Sequence, residues 1–517
     1  MSDEAKREAL PRWVLALVTT AALIALVAYS AWQRWQALTV SPFPLGVDGY
    51  FYPLQVRSLM EHYTLQYPAA PLTFWFMVPF AEATDPIIGA KLGAAIGGAL
   101  IALPAFAVGA RLGRSRGAGF IAAVLASQLA ASQYLSMEFV KQGFGLTVAM
   151  TALWLLLRAL EKPSGVRVVV ALLGLVGAVA THKLAAALVL VVAVPGIIFE
   201  AIGRGSLRGR RLIYLVVGLV ALGGVIVVLG LVAPQRFLGE HDVSLLRDLF
   251  RGTPDWDMPA LLIPATPFRP EYRLVFDHEA LIGGFAALGA AATIIAIPFD
   301  RKSSGPRIVA WISIVIALVI AVPVLAIDDP QGLGFRLRLA AFVPASLCAA
   351  VAIGALGSLI KERVAALLRD AILLVVAAIL VIVIPENPDE GRVLAHPALV
   401  TSAMAAADQV PANATVIVPE RHILFMIAYY TRAKVSLRPE TVPPQDRVRI
   451  MPLSFIGMGS PLDQALDAAR REPGITPPLA LHPRHRNGLV LVTEPTWQWI
   501  LARLGEAGSY WAAWPTI

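Results

Sequence analysis

The sequence predicts a polytopic α-helical membrane protein with a small C-terminal extracytoplasmic α/β domain, and three observations carry that expectation. Of 517 residues, 57% are hydrophobic and 15% charged, with a mean hydropathy of +0.69, which excludes an ordinary soluble globule. Apolar stretches of membrane-crossing length recur through most of the chain. Beyond residue 386 they give way to short strand-like and helix-like patterns.

In order, the apolar stretches fall at 14–33, 86–110, 118–135, 143–159, 166–181, 184–202, 212–233, 279–298, 308–327, 339–358 and 370–385. At roughly 20 residues per crossing they amount to about eleven transmembrane helices. Basic residues orient them. Lys6, Arg7 and Arg12 precede the first stretch, and Arg111, Arg114 and Arg116, then Arg158, Lys162 and Arg167, then Arg204 to Arg211, Arg301 to Arg307, and Lys361 to Arg369 occupy alternate connections. Those connections and the N-terminus are read as cytoplasmic. The segments around Asp48, 136–142, 181–183, 234–278, 328–338 and the tail then lie outside an inner membrane. The net charge of +8 and pI near 9.7 restate this basic collar and give no reason to invoke nucleic acid.

The first stretch has signal-peptide features, including Ala28-Tyr29-Ser30, but the many spans that follow favour an uncleaved anchor. The single cysteine, Cys348, falls in a predicted span and forms no intramolecular disulfide. The expected organisation is a transmembrane domain over 1–386 and an extracytoplasmic α/β domain over 387–517.

The first outer segment, 34–85, contains no apolar run long enough to span, yet is rich in aromatic residues suited to a membrane interface. Phe51, Leu54, Leu59 and Tyr63, with Arg57 and Glu61 between them, predict a short helix lying along the membrane. Asp48 precedes its first turn, where a carboxylate can also serve merely as a cap. The run Asp48-Gly49-Tyr50-Phe51-Tyr52, with Arg57 and then Tyr67-Pro68-Ala69-Ala70-Pro71-Leu72, resembles the start of the GT-C glycosyltransferases. The likeness is greatest to oligosaccharyltransferase catalytic subunits and polyprenyl-phosphate-sugar mannosyl- and arabinosyltransferases. That resemblance implies a GT-C-like fold and a carboxylate in the first outer loop, here Asp48, acting as general base or organising the acceptor. The Trp-Trp-Asp-Tyr-Gly acceptor motif of oligosaccharyltransferases is absent, which points to an acceptor other than asparagine.

The chemistry can be argued from the residues as well. A sugar on a polyprenyl phosphate or diphosphate carries its own leaving group, so transfer needs a base for the acceptor hydroxyl and cations for the departing phosphate. Asp48 is the candidate base, with Tyr50, Tyr52 and Arg57 beside it as substrate contacts. Arg336 and Arg338, at the mouth of a span, are candidate phosphate ligands, Arg336 foremost; they can equally mark the interface or pair with Asp328 and Asp329. Glu138 and Lys141 suit a helical salt bridge. Facing Asp48 instead, Glu138 would complete a pair of hard oxygen ligands for Mg²⁺ or Mn²⁺. His182 and Lys183 form a further polar pair at a membrane edge, where such groups line cavities or reach water.

The 234–278 loop reads as a lid. No His-Glu-x-x-His, Cys-x-x-Cys or phosphate-cradling Gly-Lys-Ser/Thr pattern is present. In the tail, strands are expected at 415–418, 434–437, 449–453 and 489–492, and helices at 422–430, 461–471 and 497–504, with Trp497, Trp499, Trp511 and Trp514 as core or interface residues and no catalytic role. The sequence thus reads as a glycosyltransferase, moving a sugar from a polyprenyl-linked donor to an extracytoplasmic glycan, lipid or protein. The alternatives are a transporter or flippase of lipid-linked glycans, or a non-catalytic envelope-assembly scaffold.

Overall fold

The computed structural model describes residues 12–46, 48–162, 164–185, 187–190, 332–357, 363–384, 396–456, 459–481 and 488–505. Expected spans at 212–233, 279–298 and 308–327, most of 184–202, the 234–278 loop, Asp328, Asp329, Trp511 and Trp514 lie outside these residues. The first helices are α1 (Arg12–Leu38), α2 (Phe51–His62), α3 (Leu72–Ala83), α4 (Pro86–Ala99), α5 (Ala102–Leu112), α6 (Arg116–Gln128), α7 (Ala130–Met137), α8 (Val140–Glu161) and α9 (Gly165–Thr181). After them come α10 (Leu333–Leu339), α11 (Phe342–Gly357), α12 (Arg363–Val383) and α13 (Pro397–Ala406). The remainder is β1 (Thr415–Ile417), α14 (Arg421–Thr431), β2 (Lys434–Ser436), β3 (Arg447–Pro452), α15 (Pro461–Ala469), β4 (Leu479–Ala480), β5 (Leu489–Thr493) and α16 (Glu494–Leu504).

Local signals account for several boundaries. Ser115, Ser164, His396 and Ser460 cap α6, α9, α13 and α15, each side chain accepting from a backbone N–H of the first turn, with Pro opening α13 and α15. Four stretches among the described residues are long and apolar enough to cross a membrane: Ala16–Leu38, Pro86–Leu112, Val140–Glu161 and Gly334–Gly354. They become five if α6 and α7, which meet at 45°, make one broken span. The chain is therefore a polytopic membrane protein.

It divides into two compact units. The first comprises Met1–Ala37, Tyr67–Phe76 and Leu92–Asp389. Its core gathers Leu26, Ile101, Val108, Leu125, Leu146 and Phe342. Sequence reading takes 118–135 as one straight span, but the helix breaks at Leu129 (φ −59°, ψ 141°). A break within a bilayer frees carbonyls that water cannot serve. Here the Ser127 carbonyl accepts from Ser30 Oγ (3.3 Å) and an Arg34 guanidinium nitrogen (2.8 Å), and the Gln128 carbonyl from Gln133 Nε2 (3.1 Å). A Cβ at Gly98 would displace Ser136 Oγ from this network.

The second unit comprises Leu38–Gln66, Met77–Lys91 and Glu390–Ile517. It holds a five-stranded sheet ordered β2-β1-β3-β5-β4. β1 pairs parallel with β2 and β3, whereas β5 pairs antiparallel with β3 and β4. β1–α14–β2 is thus a βαβ unit, and the chain leaves β1 toward one neighbour and returns to the other. The crevice outside the carboxyl end of such a strand is where open α/β sheets take ligands, and α14 begins there. On one face, Met451, Val490 and Val492 pack with α15, α16 and the fully buried Trp497.

Candidate active site

The loop before α2 is set by close backbone approach. Gly49 N–H donates to the Gly46 carbonyl (3.2 Å) and Phe51 N–H to that of Asp48 (2.9 Å). A Cβ on Gly49 would strike the Leu45 carbonyl, so the turn needs glycine there. The Asp48 carboxylate does not cap α2: the N-cap is Tyr50, with no side-chain bond to the amides. Instead Asp48 Oδ1 lies 3.0 Å from Arg421 Nε, the first residue of α14. The contact has ion-pair distance without hydrogen-bond alignment. Oδ1 itself is buried without a hydrogen bond, while the Asp48 side chain as a whole is 24% exposed.

α2 runs alongside α14 in the same direction. The Phe51 ring lies 4.9 Å from that of Phe425, tilted at 56°, and Tyr50 lies 5.7 Å from the rings of both Tyr429 and Tyr430. Tyr50 is buried, its hydroxyl 3.1 Å from that of Tyr430. The Arg57 guanidinium lies 4.6 Å over the Tyr429 ring and donates to the Ala428 (3.4 Å) and Tyr429 carbonyls at the end of α14. Glu61 pairs with Arg432 at 3.0 Å. Tyr52 is buried against Phe51.

The short helix expected over Tyr50 to Tyr63 is present as α2. Gln55 and Ser58 of α2 are buried as well as Leu54, Val56 and Leu59, because partners cover its polar side too. Tyr63, expected on the apolar face, is 77% exposed. It ends the helix in the left-handed region at φ 57°, which turns its side chain out of the packed stripe.

Burial shapes the electrostatics. It raises the Tyr50 phenol well above its ordinary range, pushes Tyr429 up to about 12 and raises Tyr430. All three phenols stay protonated at neutral pH. Burial lowers Arg57 from its usual value. Beside Arg421, His422 Nδ1 lies 2.9 Å from Glu420 Oε2.

The remaining sequence candidates belong to the first unit. Arg336 and Arg338 sit on α10. The half-buried Arg336 guanidinium lies 5.2 Å over the Phe139 ring, and its carbonyl accepts from Gln142 Nε2 (2.9 Å). Glu138 ends α7 and Lys141 lies in the first turn of α8, both partly exposed. His182 ends α9, its Nδ1 accepting from the Leu184 backbone N–H (3.2 Å); Lys183 is exposed. Among the described residues no group of three or more His, Cys, Asp or Glu comes together, and Asp48 and Glu138 belong to different units.

Sequence reasoning missed Arg421, Tyr429 and Tyr430, having begun the helix at His422 and given the tail no chemistry. The available signal was a lone arginine opening an otherwise apolar helix directly after a strand.

Neither protein-family models nor curated protein sequences give a match to the chain. Among solved structures, the Archaeoglobus fulgidus oligosaccharyltransferase, crystallised in complex with Zn and sulfate, aligns over 87% of this chain and 70% of its own, at 12% identity and TM-score 0.49. ArnT from Cupriavidus metallidurans bound to undecaprenyl phosphate aligns over 91% of this chain and 98% of its own, at 16% identity and TM-score 0.42. Apo ArnT aligns over 93% and 99%, at 15% identity and TM-score 0.41.

Proposed function

We propose that the chain is an inverting GT-C-type glycosyltransferase that moves a sugar from a polyprenyl-phosphate or diphosphate carrier to an extracytoplasmic acceptor. In this reading residues 1–386 form the membrane-embedded part, with the N-terminus cytoplasmic, and 387–517 an extracytoplasmic α/β domain. The observation that carries it is the placement of Asp48. The Asp48 side chain is partly exposed, does not cap its own helix, and is held by Arg421 at the carboxyl end of β1.

Asp48 accepts the proton of the acceptor hydroxyl as that oxygen bonds to the anomeric carbon and the carbon–oxygen bond to the carrier phosphate breaks. The phosphate leaves with the bonding pair. Arg421 is a positioning residue, fixing the carboxylate through its Nε. Arg336 and Arg338 are the proposed cations for the departing phosphate, with Mg²⁺ or Mn²⁺ as a proposed further ligand of it.

The test is transfer from a panel of radiolabelled polyprenyl-phosphate sugars to membrane acceptors by the purified chain, wild type against Asp48→Asn. Transfer by the wild type and its loss in a folded variant supports the enzyme and its base. Undiminished transfer removes Asp48 from the chemistry. A chain that transfers nothing but carries labelled lipid across vesicles is a flippase, and one that does neither is a scaffold.

A further inference from the structure

A second polar site lies in the first compact unit, at the end of α8 that the basic-residue alternation assigns to the cytoplasm. A cavity of about 200 Å³ is lined by Arg111, Trp154, Arg158, Glu161, Lys162 and Arg167. Four of these six residues are cations and one is an acid. The acid is already engaged: Arg111 donates to both oxygens of Glu161. Arg158 lies 5.3 Å over the Trp154 ring, and Arg167 donates to the Lys162 carbonyl (2.8 Å). Arg158, Lys162 and Arg167 have no acidic partner among the described residues, so the cavity carries unbalanced positive charge.

The flank of the cavity indicates what would balance it. Arg167 lies in the first turn of α9, which contains no acidic residue, so the positive end of that helix dipole adds to the field. From this end an apolar stripe runs along α9 through Val166 (75% exposed), Val169 (54%), Leu173 (63%) and Val176 (63%). At helical rise the stripe extends about 15 Å, roughly half the hydrocarbon thickness of a bilayer and so about the depth of one leaflet. Cations at a membrane edge above an apolar lane match a phosphate headgroup with its acyl chains below.

We propose that this cavity binds a phosphate-bearing anion, supplied by an anionic lipid of the leaflet it faces. The proposal is independent of the chemistry assigned to Asp48. Phosphatidylglycerol, phosphatidylcholine and inorganic phosphate are the probes, the lipids added to the full chain in detergent and followed by native mass spectrometry, the phosphate titrated calorimetrically. Wild type retains phosphatidylglycerol in preference to phosphatidylcholine, and the double variant Arg158→Gln/Arg167→Gln weakens that retention about thirtyfold while eluting as a folded monodisperse species. Should the double variant not fold, Lys162→Gln, at an exposed side chain, is read in its place and weakens retention about fivefold. Equal retention of the two lipids, or retention unchanged in the folded variants, overturns the proposal. Calorimetric binding of inorganic phosphate without preference for phosphatidylglycerol overturns the lipid assignment in favour of a soluble phosphate.

Discussion

Arg34 Nε donates to Ser136 Oγ at 3.0 Å, tying the first long helix to the far side of the break between α6 and α7. The guanidinium is 1% exposed and further donates to the Ser30 (3.2 Å) and Ser127 (2.8 Å) carbonyls and to Ser132 Oγ (2.9 Å). No acid pairs with it among the described residues; a planar fork is matched to neutral oxygens. Lysine cannot reproduce that fork. Arg34→Lys is expected to lower stability by about 1–3 kcal/mol, for acceptors left bare, and Arg34→Met by more. Thermal unfolding in detergent reads both; a variant melting with wild type removes Arg34 from the architecture.

Asp48→Asn separates chemistry from stability. With Asp48 24% and Arg421 47% exposed, the ion pair contributes at most about 1 kcal/mol. The variant is therefore expected to melt within a few degrees of wild type while losing transfer. Arg421→Gln is expected to lower kcat by about tenfold to a hundredfold with KM little changed, since it misaligns the base without touching substrate. Arg421→Lys should recover part of the loss. A rise in KM alone would instead place Arg421 on the donor.

Arg57 is committed to the last carbonyls of α14 and the face of Tyr429. Arg57→Ala is expected to cost about 1–2 kcal/mol, through the lost cation–π contact and the orphaned carbonyls. Amide exchange should rise along α14 and α2. Were Arg57 a substrate ligand alone, exchange would not change.

Alkali should loosen the same region. Burial holds the Tyr429 phenol at about 12, above its value near 10 in an unfolded chain. The folded state then keeps a proton that the unfolded state releases. Stability is full below pH 10 and declines as pH rises toward 12. Tyr429→Phe should flatten that decline, and phenolate absorbance against melting temperature measures it.

Long-period features were legible because periodicity and charge are local. The α8 span, the helix α9 that begins at Gly165 and the strands at β1, β3 and β5 stand where apolar spacing puts them. The break at Leu129 was not, since neither Pro nor Gly marks it; Ser127, Gln128, Ser132 and Gln133 in one apolar run were the sign. α13 was passed over because its mostly apolar composition offers no helical period. The Asp48–Arg421 pair is the clearest case. Each residue is unremarkable in its own window, and only the docking of two helices far apart in sequence makes them neighbours, which no short-range pattern encodes.

The compact unit that holds Asp48 is assembled from both ends of the chain, and this imposes an order in time. Asp48 leaves the ribosome soon after the first apolar helix, yet Arg421, Phe425 and Tyr430, which fix its surroundings, emerge only when most later helices have been made. The carboxylate is thus out of register throughout membrane insertion and acquires its setting at the last stage of synthesis. A chain released early, or cut before α14, would carry the proposed base without its alignment, so completion of the polypeptide is itself what would arm the proposed site.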